Sequence, residues 1–174
     1  MTAAPTSIDL GYHRDLEARS REVWVRRAFL VLLLVPPVLG LLNFFGQSPG
    51  STTVSSPVAT LNVQSPTRMR GGDLYQARFQ IFAHRDIKNA TLVLDPNWLE
   101  GQTINTIEPS PSTEQSQGGS LELSLGPINA GQKWSEYLQF QVEPTSVGER
   151  NGTVALYDGK RRLLSLSRGA TVFP

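Results

Sequence analysis

With 174 residues the chain has room for one compact domain plus a tail or anchor, and 16 Lys and Arg against 15 Asp and Glu leave a net charge of +1. That balance exerts no global pull on nucleic acid, and no basic stripe interleaved with aromatics is present, so a nucleic-acid surface is set aside. Cysteine is absent, which excludes disulfides, thiolate catalysis and Cys-based metal sites without fixing the compartment.

Residues 1–27 read as an N-terminal segment, partly helical. From Ile8 to Arg27, IDLGYHRDLEARSREVWVRR sets Leu10, Leu16 and Val23 near one stripe and spaces Glu17 and Arg21 as a favourable i,i+4 pair. Residues 28–46 follow as a transmembrane helix. Ala28 to Phe45 reads AFLVLLLVPPVLGLLNFF, with Asn43 its one polar side chain, and no Lys, Arg, Asp or Glu occurs between Arg27 and Arg68. At about 1.5 Å per residue such a stretch spans the roughly 30 Å hydrocarbon core. It exceeds the apolar region of a cleaved signal peptide, so it is expected to remain as an anchor.

Pro36 and Pro37 remove backbone hydrogen bonds and predict a bend, which membrane helices tolerate best beside a neighbour. Gly40, one turn on, permits close approach. Pro36, Pro37 and Gly40 therefore make either a tilted, kinked anchor that stands alone or a packing face toward another membrane protein. Arg14, Arg19, Arg21, Arg26 and Arg27 precede the span, whereas its far flank is neutral. The positive-inside rule then places the N-terminus in the cytoplasm and the C-terminal domain outside a cell (inner or plasma) membrane. Arg19, Arg21, Trp24, Arg26 and Arg27 are expected at the headgroups, in contact with anionic lipid.

Residues 47–57, rich in Gly, Ser, Thr and Pro, read as a flexible linker. From residue 58 to residue 174 the pattern becomes alternating. Val58–Val63 gives a first strand. Tyr75, Ala77, Phe79, Ile81 and Ala83 then alternate with polar residues, the most regular strand of the chain. Ala90, Leu92 and Leu94 continue the pattern until Asp95-Pro96-Asn97 breaks it, and Thr103–Ile107 is weaker. Pro109–Gly119 is an exposed loop by composition. Leu121, Leu123 and Leu125 form the next inward face, and Trp134, Leu138, Phe140 and Val142 another. Asp158-Gly159 marks a hairpin between Val154–Tyr157 and Arg161–Leu166. The fold class is all-β: an immunoglobulin-like β-sandwich of seven or eight strands, preceded by one transmembrane helix.

The stretch Leu121-Glu-Leu-Ser-Leu-Gly-Pro-Ile-Asn-Ala-Gly131, then the Trp134–Val142 strand, Gly148 and Gly152–Leu156, resembles the C-terminal half of bacterial immunoglobulin-like domains of the CARDB, NEW3 and DUF11 kinds. The resemblance covers mainly the C-terminal third and consists of core and turn positions. It implies an adhesive or spacing module in the bacterial envelope and supplies no catalytic residues.

Chemistry is sparse. His84, the one histidine in the C-terminal domain, lacks a nucleophile motif such as G-x-S-x-G. Asp73, Asp86, Asp95 and Asp158 fall near turns without the D-x-D-x-D run of a calcium loop. No catalytic, cofactor or metal site is expected. Trp98 and the basic cluster Lys160, Arg161 and Arg162 are the candidate surface contacts, Trp98 as a packed turn residue or a sugar-stacking ring and the cluster as a solvated edge or a contact to anionic lipid or cell-wall polymer. The expected role is a non-enzymatic accessory or scaffold protein, partnered by the lipid bilayer and by another membrane protein or complex. The alternative is a tethered glycan or cell-wall binding module.

Overall fold

The computed structural model describes the backbone of residues 12–42, 44 and 46–174, and the side chains from residue 22 onward within that set. Expectations for residues 1–11, for Asn43 and Phe45, and for the side chains of Arg14, Leu16, Glu17, Arg19 and Arg21 lie outside it. The chain divides into two compact units, Met1–Phe44 and Phe45–Pro174.

The first unit contributes one helix, α1 (Tyr12–Leu41), which runs through both Pro36 and Pro37. The helix is continuous from the N-terminal segment into the apolar one, because the Glu-, Arg- and Ala-rich stretch and the Leu-rich one are both good helix formers. The 20 residues Glu22–Leu41 are long and apolar enough to cross a membrane, and none of them is buried. This stretch starts before residue 28 and stops short of residue 46. The two prolines leave the carbonyls of Leu32 and Leu33 without their helical donors.

The second unit is built from ten strands and one helical turn: β1 (Ser48–Ser55), β2 (Ala59–Arg70), β3 (Leu74–Ala83), β4 (Ile87–Leu94), α2 (Pro96–Leu99), β5 (Gln102–Glu108), β6 (Thr113–Gln117), β7 (Ser120–Ile128), β8 (Lys133–Val142), β9 (Gly148–Asp158) and β10 (Arg161–Phe173). The hydrogen-bonded order is β5-β8-β3-β2-β10-β9-β4-β7-β6, with β1 added on β2. All pairings are antiparallel except a short parallel join, where Thr171–Phe173 of β10 meet Arg68–Arg70 of β2. The ladder curls at that join, giving two layers: β1-β2-β3-β8-β5 and β10-β9-β4-β7-β6.

Period-two burial builds the core between them. Tyr75, Ala77, Phe79, Ile81 and Ala83 all turn inward, as their alternation predicts, and meet Leu61, Leu92, Leu123, Leu138, Phe140 and Leu156. Each large apolar side chain buried this way contributes about 1.5–3 kcal/mol.

Three expectations are corrected. The strand count is ten rather than seven or eight. Residues 47–57 are not a free spacer, since β1 pairs with β2 from Ser48↔Arg68 to Ser55↔Thr60; its backbone supplies the ladder bonds, and an edge strand tolerates Pro49 and Gly50. Within Pro109–Gly119, Thr113–Gln117 forms β6 against β7 with every residue exposed.

Trp98 is corrected as well. Asp95 caps α2 by accepting from the Trp98 amide at 2.9 Å, and Pro96 supplies the pre-set φ of a first helical position. That turn drives the indole inward: Trp98 is 6% exposed, and its ring lies 5.7 Å from Phe79, centroid to centroid, tilted by 54°. A buried ring offers no sugar-stacking platform.

Candidate functional site

The outward face of the β1-β2-β3-β8-β5 layer holds the arrangement best suited to recognition. Strand register sets Ser51 opposite Gln64, Gln64 opposite Arg78, Arg78 opposite Tyr137 and Tyr137 opposite Glu108. Directly paired residues share a face, so these side chains form one row across five strands. A neighbouring row runs Thr53, Asn62, Gln80 and Ser135, and another Gln76, Gln139 and Thr106. An open groove of about 640 Å³ follows this face, its walls including Gln47, Gly50, Gln64, Gln76, Arg78 and Tyr137.

Arg78 is the centre of the face. Its guanidinium lies 5.3 Å from the centroid of the Tyr137 ring, within cation–π range. The Gln80 amide oxygen, turned toward it, accepts from Nη2 at 2.6 Å and from Nε at 3.2 Å. Asn62 donates to Ser51 Oγ at 2.8 Å and to Thr53 Oγ1 at 2.6 Å, fixing the neighbouring strands. The result is a preorganised polar surface centred on the Arg78–Tyr137 pair, with Phe82 and Lys133 paired in an outer row of the same face.

The residues singled out from the sequence lie elsewhere. Trp24, 71% exposed, and exposed Arg26 and Arg27 are on α1, as are Pro36, Pro37 and Gly40; a Cβ added at Gly40 would meet no atom within 4 Å. Lys160, Arg161 and Arg162 are exposed at the β9–β10 hairpin, where Asp158 pairs with Arg161 and Gly159 takes φ +56°. His84 is exposed, its Nε2 2.9 Å from Thr60 Oγ1. The four turn aspartates each accept a backbone N–H: Asp73 from Arg70, Asp86 from Ala130, Asp95 from Trp98 and Asp158 from Asn89. Among the described residues no group of three or more His, Cys, Asp or Glu is placed to hold a metal.

Sequence reasoning missed two charged residues that point inward. Glu136, on β8 between Trp134 and Leu138, is 0% exposed. Its Oε2 accepts from Trp134 Nε1 at 2.8 Å, and its Oε1 has no protein partner. Burial pushes this carboxyl above its ordinary value, with the Trp134 bond acting in the opposite direction. The folded state therefore binds the proton more tightly than the unfolded chain. That contribution is fully present below the ordinary value of 4.5 and is lost as pH rises through the folded value. Glu136→Gln keeps the acceptor for Trp134 and removes the buried charge. It should raise stability at pH 7–8 by roughly 1–3 kcal/mol and flatten the decline as pH rises above 4.5, checked by thermal melts from acid to mildly alkaline pH.

Arg168, on β10, is 6% exposed. It donates through Nη2 to the Ser65 carbonyl and through Nη1 to Thr52 Oγ1 at 3.1 Å and the Val63 carbonyl at 3.3 Å. Burial pulls its pKa below the usual guanidinium range, partly offset by Tyr75. The signal for both residues is phase: each occupies an inward slot of an otherwise regular alternation.

No family profile and no curated protein matches the chain. Solved structures overlap it in part. The GAE domain of GGA2p from Saccharomyces cerevisiae is 12% identical over 72% of this chain and 98% of that one, with TM-score 0.41. A human F-spondin reeler domain is 11% identical over 69% and 100%, with TM-score 0.43. The CARDB domain of a Pyrococcus furiosus protein is 11% identical over 73% and 96%, with TM-score 0.37.

Proposed function

We propose that this chain is a membrane-anchored, non-enzymatic interaction protein, an accessory or scaffold subunit of a larger membrane complex. In this reading α1 crosses a cell membrane with its N-terminus in the cytoplasm, and the β-sandwich binds a partner protein outside. The observation that carries the binding role is the row Ser51–Gln64–Arg78–Tyr137 along an open groove. Arg and Tyr dominate interface energetics, and an arginine already held by Gln80 and Tyr137 loses little freedom on binding. Anchoring is supported by the wholly unburied apolar stretch Glu22–Leu41, a surface that a protein in water does not leave open at this size.

The test is purification of the full-length protein from native membranes in mild detergent. A stoichiometric partner should co-purify, and Arg78→Ala with Tyr137→Ala should weaken its retention by about 30-fold, the equivalent of roughly 2 kcal/mol. Retention unchanged by that pair, but lost when Pro36, Pro37 and Gly40 become leucine, would move the interface from the sandwich to the helix.

A second reading, binding of glycan or cell-wall polymer, is favoured by one observation: the rows flanking Arg78 consist of Gln, Asn, Ser and Thr. Amides and hydroxyls beside a single aromatic ring suit sugar hydroxyls. Here Tyr137 takes the stacking role that buried Trp98 does not fill, and Lys160, Arg161 and Arg162 would meet an anionic polymer. Sedimentation with purified cell wall, reduced by Tyr137→Ala in a folded protein, distinguishes this reading from the first.

A further inference from the structure

Behind the β2–β10 join lies a small, partly open pocket of about 30 Å³. Trp98, Arg150 and Arg168 line it together with Tyr75 and Gln102, and no carboxylate does. The Tyr75 hydroxyl is already engaged, donating to Gln102 Oε1. Three donors of the lining remain without a protein acceptor: Trp98 Nε1, Arg150 Nε and Arg168 Nε. Trp98 and Arg168 are each 6% exposed, so bulk solvent does not serve these atoms. Arg168 reaches only neutral acceptors, two carbonyls and a hydroxyl, while Arg150 donates to the Glu100 carbonyl and Ser146 Oγ. Two guanidinium charges thus border one small space that contains donors and no anion of the protein's own.

A buried charge without a counter-ion costs several kcal/mol, and unsatisfied buried donors add to that. An acceptor bearing a negative charge removes both penalties together. The volume sets its size, since a water-sized body needs about 10–15 Å³ by this kind of measure. One or two such bodies fill it. We propose that this cavity is a structural site for a monatomic anion of the chloride class, held by the Trp98, Arg150 and Arg168 N–H groups, and that it locks α2 and β9 to the β2–β10 join.

The experiment uses the full-length protein in detergent, exchanged into gluconate buffer. Chloride is then titrated against gluconate at constant ionic strength while thermal unfolding is followed. The melting temperature should rise with the logarithm of the chloride concentration, by about 10 °C at a hundredfold excess over the half-saturating concentration. Trp98→Phe keeps a ring in the core and removes one donor; it should raise the half-saturating chloride concentration roughly tenfold. If that variant does not fold, Arg150→Gln, whose side chain is half-buried, serves the same purpose. Crystals soaked in bromide should show an anomalous peak between the three nitrogens. Identical melting in chloride and gluconate, or density in the cavity without bromide signal (water only), would overturn the proposal.

Discussion

Trp98→Ala should destabilise the β-sandwich by about 3–5 kcal/mol, the range for removing a buried large aromatic side chain. The indole is the piece through which α2 plugs one end of the core, stacked at a tilt on Phe79. It is seated against β9 at Gly152, where an added Cβ would lie 2.9 Å from the Trp98 Cα, Cβ and Cε3. One of those contacts is backbone, so the site does not relax around a larger residue, and Gly152→Ala should also destabilise, by roughly 2 kcal/mol. The two substitutions act on one contact. In the double mutant only the Cε3 contact is removed while those to the Trp98 Cα and Cβ persist, so most of the Gly152→Ala penalty should remain and the coupling should stay below about 1 kcal/mol. Urea unfolding of the full-length chain and its three variants measures all four corners. A Gly152→Ala penalty that disappears in the double mutant would mean that the indole alone, and not the Trp98 Cα and Cβ, sets the close approach described.

Arg168→Ala should cost about 3 kcal/mol. The guanidinium is the common donor for the Ser65 and Val63 carbonyls of β2 and for Thr52 of β1, so its removal leaves those acceptors underserved where the two layers meet. Arg168→Lys should not rescue, because a compact ammonium does not span acceptors arranged for a planar fork. Arg168→Met should recover part of the loss: it fills the same channel and eliminates the desolvated charge that lowers the arginine's pKa. The order Arg, Met, Ala from most to least stable, read from denaturant midpoints at constant slope, is the result to look for. An alanine variant within 0.5 kcal/mol of the parent by the criterion for inert surface positions would remove Arg168 from the structural role.

What could be read from the sequence followed hydrophobic phase. Tyr75–Ala83 and Leu121–Leu125 announce their inward faces because every second residue is apolar, and Gly159 marks the β9–β10 turn. The apolar block in α1 is equally plain. Strands β1 and β6 were hidden because SPGSTTVS and TEQSQ carry no such alternation; their pairing rests on backbone hydrogen bonds, which composition does not display. Glu136 and Arg168 were overlooked for the converse reason, since a charged side chain reads as outward even when its phase is inward. The row through Arg78 needs the register of five strands gathered from residues 51 to 137. Period two fixes each residue's side, but only the pairing says which residues become neighbours.

The β2–β10 join also orders events in time. Ser65 in the second strand and Arg168 in the last are 103 residues apart, and the parallel pairing beside them has no local turn to nucleate it. Contacts that distant are formed late and slow folding. A chain emerging N-terminus first can assemble β1, β2 and β3, yet Ser65 and Val63 wait for their donor until the tenth strand has been delivered. Through that interval the inner face of the first layer stands uncovered. Arrival of β10, rather than formation of any local element, is therefore the moment at which this domain becomes closed and protease-resistant.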